Sequence, residues 1–589
     1  MHNVHSPDAD AAAAAAAGTT LASFVIFALV FLMSSSSSLV VLPSFKSFLA
    51  TTASHVRQKT SLSPIYTRSH QLVSSRPSSA SSPVTYNFVI GNQAGDTDSC
   101  ISSLTLAYQL ALESHAPYAS DAKRGVVPVS LFDADRCIHV PVLPFPRADL
   151  SLRADTVMLL SWADVDPSSD LLFIDDESVC TLISDSLRCS LDDSSSSRSS
   201  ATPAVSLTLV DHATFNPSRS FLSSIASSSF LSPSDVSSKL SSRVRFIVDH
   251  HPENPVDKSS HRHLHPPSSS DPAVTTIAIP PSTDDGGATP PPPFSPRVVV
   301  DPLASCATLV AERSLSFLSY LSSAGLSLLS ENKLDLRASL LLLHGTVSLD
   351  SGSASSGKKT PRDAALLAAL ESALSVPFPS TPPSLLPHLS ALSLSTSFRR
   401  LMDRRTDPSF WASLSPADAA RLDYKRFECC VVGSPDEGSG SDALSRTVGP
   451  AVIAVGMASI CIGVGAFADA ARLEVQNGAR GLKGFVQGED IAALIVMGHG
   501  SKGREILILD GGGKGGIMGD TTMALALGRR LKEKEGEGVE GGTLLLNDMD
   551  AGETWEGGGD ITAFTQGNAK GSRKQVAPII VDLVKAMFA

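Results

Sequence analysis

The sequence predicts an α/β fold, with a larger N-terminal domain on a parallel sheet and a smaller C-terminal α/β domain. Three observations carry this. Short apolar segments of strand length recur, helix-length stretches separate several of them, and a Pro-rich tract divides the chain. Strands alternating with helices favour parallel pairing, because each crossover returns the chain to the same end of the sheet. At 589 residues, 42% hydrophobic and 18% charged, the chain can fill more than one core.

Residues 1–83 read as a low-complexity extension. Thr20 to Met33 (TLASFVIFALVFLM) is apolar but short for a membrane span. Asp8 and Asp10 precede it with no Lys or Arg, unlike a signal peptide. From Met33 to Pro83 there is no acid, while Lys46, Arg57, Lys59, Arg68 and Arg76 stand among many serines. That composition is similar to a transit peptide, but it is misplaced unless translation begins at Met33. A cytoplasmic protein is expected, with mitochondrial import or membrane association as the alternative, through this segment alone.

The first ordered domain is expected over 84–376. Its strand candidates are YNFVIG (Tyr86–Gly91), VVPVSLF (Val126–Phe132), LLFID (Leu171–Asp175), SLTLV (Ser206–Val210) and RFIV (Arg245–Val248). SCISSLTLAYQLALES and SCATLVAERSLSFLSYL read as helices, and LDLRASLLLLHGTVSLD as a helix leading into a strand. Residues from about 252 to 296, rich in Ser, Pro and His, read as a solvated insertion. His261, His263 and His265 fall inside it and are not expected to hold a metal. Residues 377–396 read as a Pro/Ser-rich linker, and 397–589 as the second domain, with strands such as AALIVM and TLLLN.

Eight scattered cysteines without a CxxC suggest reduced thiols, not a disulfide frame or zinc ribbon. A net charge of −12 argues against nucleic-acid binding over the whole surface, though not against a local basic pocket.

The chemistry lies at the strand ends. YNFVIG is followed by Asn92, Asp96 and Asp98; LTLV by Asp211 and His212; RFIV by Asp249, His250 and His251; and GTVSL by Asp350. Ligands of a parallel α/β sheet sit outside the carboxyl ends of its strands, so these groups are expected to converge. Any one acid alone reads equally as a helix cap or turn residue. Together they would repel one another and raise each other's pKa, and divalent cations relieve that. Oxygen and imidazole donors without thiolate suit Mn²⁺ or Mg²⁺. Two such ions ~4 Å apart suit in-line phosphoryl displacement.

GNQAGDTDS, LVDHATF, VDHHPEN and the SLD ending at Asp350 resemble the four motifs of the DHH phosphoesterase superfamily. The GN of the first motif, SCATLV and GKKTPRD resemble its exopolyphosphatase and prune-like branch, as does Val140–Leu160. LSPADAARLDYKRFE (Leu414–Glu428) and GSRKQVAP (Gly571–Pro578) resemble the two basic signatures of its companion DHHA2 domain. The resemblance implies an active site in an interdomain cleft holding two divalent metals. It implies that Asp96 and Asp98 bind different metals, Asp211 bridges them, His250 completes one shell and Asp350 ligates the first. Asn92 stands where family II pyrophosphatases usually have a metal-ligating His, and is counted with the candidate metal ligands. His251 would contact phosphate, and Asp249 would orient an imidazole. Lys425, Arg573 and Lys574 would reach the substrate's phosphates. The serine-rich surroundings of Asp350, and Gly95 and Thr97 in the first motif, depart from the pattern.

The activity so implied is hydrolysis of terminal phosphoanhydride bonds of inorganic polyphosphate. Alternatives are an inorganic pyrophosphatase, a cyclic-nucleotide phosphodiesterase, or a prune-like protein-interaction scaffold whose Ser/Pro insertions bind partners. Weaker features are FRRLMDRRTD (Phe398–Asp407), read as a solvated helix face or hinge, GGGKGG (Gly511–Gly516), which lacks phosphate-loop spacing, and His499 in a Gly-bounded turn.

Overall fold

A computed structural model describes residues 39–41, 44–61, 84–121, 127–128, 137–189, 204–212, 215, 217–250, 297–300, 303–323, 327–328, 330–352, 359–375, 391–431, 451–479, 481–500, 503–511, 517–518, 521–535, 546–548, 561–566 and 573–588. The low-complexity insertion, the 14-residue apolar segment, His251, His261, His263 and His265 lie outside them. Contacts divide the chain into one unit ending at Arg405 and another from Thr406 to Ala589.

The first unit contains a five-stranded sheet whose pairings are all parallel. Its elements in chain order are α1 (Phe45–Ser61), β1 (Thr85–Ile90), α2 (Thr97–Asp121), β2 (Cys137–Val142), α3 (Ala154–Trp162), α4 (Glu177–Cys189), β3 (Ala204–Val210), α5 (Arg219–Ser229), α6 (Pro233–Ser241), β4 (Val244–Asp249), β5 (Arg297–Val300), α7 (Cys306–Ser323), α8 (Ser330–Ser351), α9 (Pro361–Ser375) and α10 (Ala391–Thr406). The strand order is β2-β1-β3-β4-β5. Chain order therefore reverses at β1, with β2 on one side and β3 on the other. That reversal opens a crevice at the carboxyl ends of β1 and β3, the usual ligand position in such sheets.

Strand alternation explains why the sheet is buried on both faces. In β1, Tyr86, Phe88 and Ile90 face the core shared with α4, α5 and α6, while Val89 faces the core built by α2, α7, α8 and α9. β4 does the same, with Ile247 on one side and Phe246 and Val248 on the other. Asn87 and Thr208 put polar groups on the second face, and the Asn87 amide donates to Thr208 at 3.0 Å, so neither is left unsatisfied.

Three local expectations change. The run 334–350 is one helix, so Asp350 lies in its last turn and not after a strand. Leu340 to Leu343 and Val347 are all buried, and a helix apolar on every side has no period to separate it from a buried strand. Residues 171–175 make one bridge, Leu143 to Phe173, and no strand. Asp176 accepts from the Phe173 amide at 3.0 Å and pairs with Arg147, and α4 begins at the next residue. Of the candidate strand 126–132, Val127–Pro128 pairs in parallel with Val40–Val41, and the rest lies outside the described residues. Finally, α1 lies inside the stretch read as an extension, and it buries Phe45, Phe48, Leu49, Ala53 and Val56 against the unit. Their offsets of three, four, eight and eleven residues from Phe45 trace a helix face hidden among serines and threonines.

The second unit holds α11 (Pro408–Ser413), α12 (Pro416–Arg421), β6 (Tyr424–Val431), β7 (Ala451–Ser459), α13 (Val464–Gln476), α14 (Gly481–Glu489), β8 (Ala493–Gly500), β9 (Gly503–Asp510), α15 (Met523–Glu535), β10 (Leu546–Asp548), β11 (Ile561–Gln566) and α16 (Arg573–Phe588). Its sheet runs β10-β11-β9-β8-β7-β6, parallel between β7 and β8 and antiparallel elsewhere. α15 and α16 cover one face, α12, α13 and α14 the other. The boundary falls nine residues beyond the expected 397, because Leu394 and Leu401 of α10 are buried in the first unit's core. Among the described residues no helix is long and apolar enough to cross a membrane.

Candidate metal centre

β1 delivers the chain into the loop Gly91–Asp96 at the crevice. Gly91 lies against α2, where a Cβ would come 2.7 Å from the Ser99 carbonyl oxygen. Gly95 takes a left-handed φ of +57°, and its amide donates to Asn92 O at 3.0 Å, closing the turn. A Cβ there would sit 2.2 Å from Phe145 Cδ1, so no side chain larger than hydrogen fits without displacing that ring.

Arg153 braces this loop. Its guanidinium is buried over the Phe145 ring, 3.7 Å from the centroid, and donates to Gly95 O at 2.6 Å, Ala94 O at 2.7 Å and Asp149 O at 2.9 Å. Burial lowers its pKa, while Asp149, Asp96 and Asp155 act the other way.

The acids then take up different tasks. Asp96 caps α2, accepting the Ser99 amide at 3.0 Å. Asp98, in the first turn of α2, reaches instead to the N-terminus of α7. It accepts Cys306 N at 2.6 Å, Ala307 N at 2.8 Å and Ser102 Oγ at 3.0 Å. Asp211, just past β3, has a left-handed φ of 64°. Its Oδ2 accepts Ser99 Oγ at 2.6 Å and the Asn92 amide. Asn92 thus meets the cluster as a donor to Asp211, with its oxygen toward the Gly95 amide at 3.3 Å.

His250 follows β4 and is buried. Its Nδ1 lies 2.8 Å from Leu303 O, and a carbonyl only accepts, so the proton sits on Nδ1. In the neutral ring Nε2 then carries a lone pair. It lies 3.0 Å from Asp211 Oδ1 and 3.8 Å from Asp98 Oδ2. The ligand atoms of Asp98, Asp211 and His250 all fall within 4.8 Å of one another, and all three residues are buried.

Burial first, then repulsion from Asp211 and Asp350, pushes the Asp98 carboxyl well up. Asp350 is pushed up to about 6, mainly by burial and further by Asp96 and Asp211, with Arg405 and His250 pulling the other way. Its Oδ1 is 3.5 Å from Arg405 Nη1, while its Oδ2 is buried with no hydrogen-bond partner among the described residues. The Nε2 of His250 and the shielded carboxylate oxygens of Asp98 and Asp211 lie in one place, and a divalent cation would fit among these donors. The donor set is hard. Burial and the neighbouring acids push the Cys306 thiol well up, and its Sγ donates to Val248 O at 3.4 Å, so it offers no thiolate.

Asp249 ends β4, buried, with its backbone in register with Val300. His212 turns back on its own strand, with Nδ1 2.8 Å from Val210 O. Lys425 lies on β6 of the second unit, opposite Met457. Arg573 and Lys574 begin α16, and their side chains are outside the described set.

No protein-family model matches the chain. Among solved structures, that of a candidate family II inorganic pyrophosphatase from Methanococcus jannaschii aligns with a TM-score of 0.38 at 15% identity. The alignment covers 84% of this chain and 99% of that one. A superposition so loose fixes neither the fold nor a reaction; the residues at the crevice carry the reading.

Sequence reasoning brought Asp98, Asp211 and His250 to one place by strand-end position alone. It missed Ser99, Ser102, Arg153 and the Leu303 carbonyl. Ser99 had a local signal, as the last residue of GDTDS; the Leu303 carbonyl had none.

Proposed function

We propose that the chain is a divalent-metal-dependent hydrolase of phosphoanhydrides, and within that class an exopolyphosphatase. The observation that carries the metal is His250, whose Nε2 is turned by Leu303 toward two buried carboxylates. The choice of phosphoanhydride rests on the resemblance of the strand-end motifs to the DHH superfamily. The choice of polyphosphate rests on Asn92, where pyrophosphatases of that superfamily carry His, and on the SCATLV and GKKTPRD segments.

In this reading Asp98, Asp211 and His250 hold the cation, with Asp96 and Asp350 as further ligands. When bound, the cation supplies Lewis-acid polarisation of phosphoryl oxygen and acidifies water. Ser99 and Asn92 fix the orientation of Asp211 by donating to one oxygen and leaving the other to face His250. The two α7 amides hold Asp98 and favour its charged form. His251, Lys425, Arg573 and Lys574 neutralise the substrate's phosphates, Arg by bidentate contact and Lys as a point charge. Asp249 orients the neighbouring imidazole.

The test is a substrate panel with MnCl₂: medium-chain polyphosphate, pyrophosphate and cyclic AMP in parallel, with orthophosphate and AMP measured. Orthophosphate released chiefly from polyphosphate is the expected result. Preference for pyrophosphate or cyclic AMP would overturn the exopolyphosphatase assignment, and no turnover of any of them would favour a scaffold.

A further inference from the structure

GKKTPRD has no role in the site so far, yet its last residue is a fully buried carboxylate, 0% exposed. Asp363 and Thr360 form a reciprocal cap at the start of α9. The Asp363 amide donates to Thr360 Oγ1 at 3.1 Å, and the Thr360 amide donates to Asp363 Oδ2 at 2.9 Å. Such a cap needs one carboxylate oxygen and works at the surface. Here the carboxylate also takes the Ala304 amide on Oδ2 at 3.2 Å and Thr308 Oγ1 on Oδ1 at 2.7 Å.

Those two donors bracket the segment that serves the candidate centre. Leu303 O sets the proton of His250, at 2.8 Å. Cys306 N and Ala307 N hold Asp98, at 2.6 and 2.8 Å. One buried carboxylate thus ties down the backbone that orients Asp98 and His250, two of the three converging candidate ligands. We propose that Asp363 is a positioning residue of the metal centre, fixing residues 303–308 so that His250 and Asp98 converge. This rests on the metal-centre reading above.

The test uses the full chain, stripped with a chelator and titrated with MnCl₂ while free Mn²⁺ is followed by electron paramagnetic resonance. Asp363→Asn keeps size but replaces one acceptor oxygen with a donor; it is expected to weaken Mn²⁺ binding by about 10- to 100-fold, the usual effect of removing a partner behind a ligand. Thr360→Ala removes the cap but leaves the Ala304 and Thr308 bonds. It is expected to lower the melting temperature and leave Mn²⁺ affinity within about twofold of the parent, below that range. Thr308→Val, which cuts only the tie to α7, is expected to weaken binding severalfold and serves if Asp363→Asn does not fold.

Asp363→Asn, or Thr308→Val in its place, binding Mn²⁺ like the parent would overturn the proposal. So would Thr360→Ala losing as much affinity as Asp363→Asn, since the effect would then be that of the cap. Asp211→Asn separates the two levels. If it loses Mn²⁺ while Asp363→Asn does not, the positioning role alone fails; if it binds like the parent, the metal centre fails and this inference with it.

Discussion

His250 makes two contacts that decide its chemistry: a carbonyl at Nδ1, and carboxylate oxygens beyond Nε2. Asp350 supplies a second, measurable consequence. Its carboxyl is raised to about 6 by burial, so the folded protein holds a proton there that the unfolded chain releases near 4. A raised acid stabilises the fold below its unfolded pKa, and that contribution is lost as pH rises through the folded value. In metal-free protein the melting temperature of the parent should therefore fall relative to Asp350→Asn between about pH 4 and pH 6. MnCl₂ should restore the parent and not the variant. A pH-independent difference between the two would contradict the assignment. Asp211 and His250 were legible because acids and histidines that recur at the carboxyl ends of parallel strands must meet at one edge of the sheet. Asp98's partners were not: the Cys306 amide is 208 residues away, and no local pattern encodes which helix N-terminus a carboxylate will meet.

The loop between β1 and α2 shows how an element is held open for chemistry. Gly95 is fixed by its left-handed φ and by Phe145, which cannot retreat because Arg153 covers its face and Phe173 meets it edge-on at 5.9 Å. Gly95→Ala should cost ~2–5 kcal/mol, from left-handed strain and overpacking together. Urea unfolding of the metal-free protein measures this, and a change below ~0.5 kcal/mol would show that the loop gives way. At this scale the sequence revealed β1, β3 and β4: the apolar runs of β3 and β4 end sharply at Asp211 and Asp249, and that of β1 ends at Gly91 and Asn92. It misread α8, since a helix buried on every side has the same uninterrupted apolar run as a core strand. It passed over α1, whose buried face is diluted by serine and threonine. GKKTPRD was visible as a segment, but the reach of Asp363 into residues 304–308 depends on packing that only the folded chain shows.

Across the whole molecule, contacts divide the chain after Arg405, a point that no local composition marks. A linker is signalled by local composition, whereas the unit to which α10 belongs depends on which core Leu394 and Leu401 enter. The candidate ligands Asp96, Asp98, Asp211, His250 and Asp350 all fall in the first unit, and the proposed phosphate-binding Lys425, Arg573 and Lys574 in the second. The proposed turnover of a polyanion draws on both the cation and these basic groups. The most direct measurement is orthophosphate release from polyphosphate by chelator-stripped protein as MnCl₂ is added, for the parent and for Asp211→Asn. The parent should be inert without metal and active with it, and Asp211→Asn should fall by at least ~10³-fold at saturating Mn²⁺ while melting as a folded protein. Release that survives chelation, or that Asp211→Asn sustains at the parent's rate, would contradict the account.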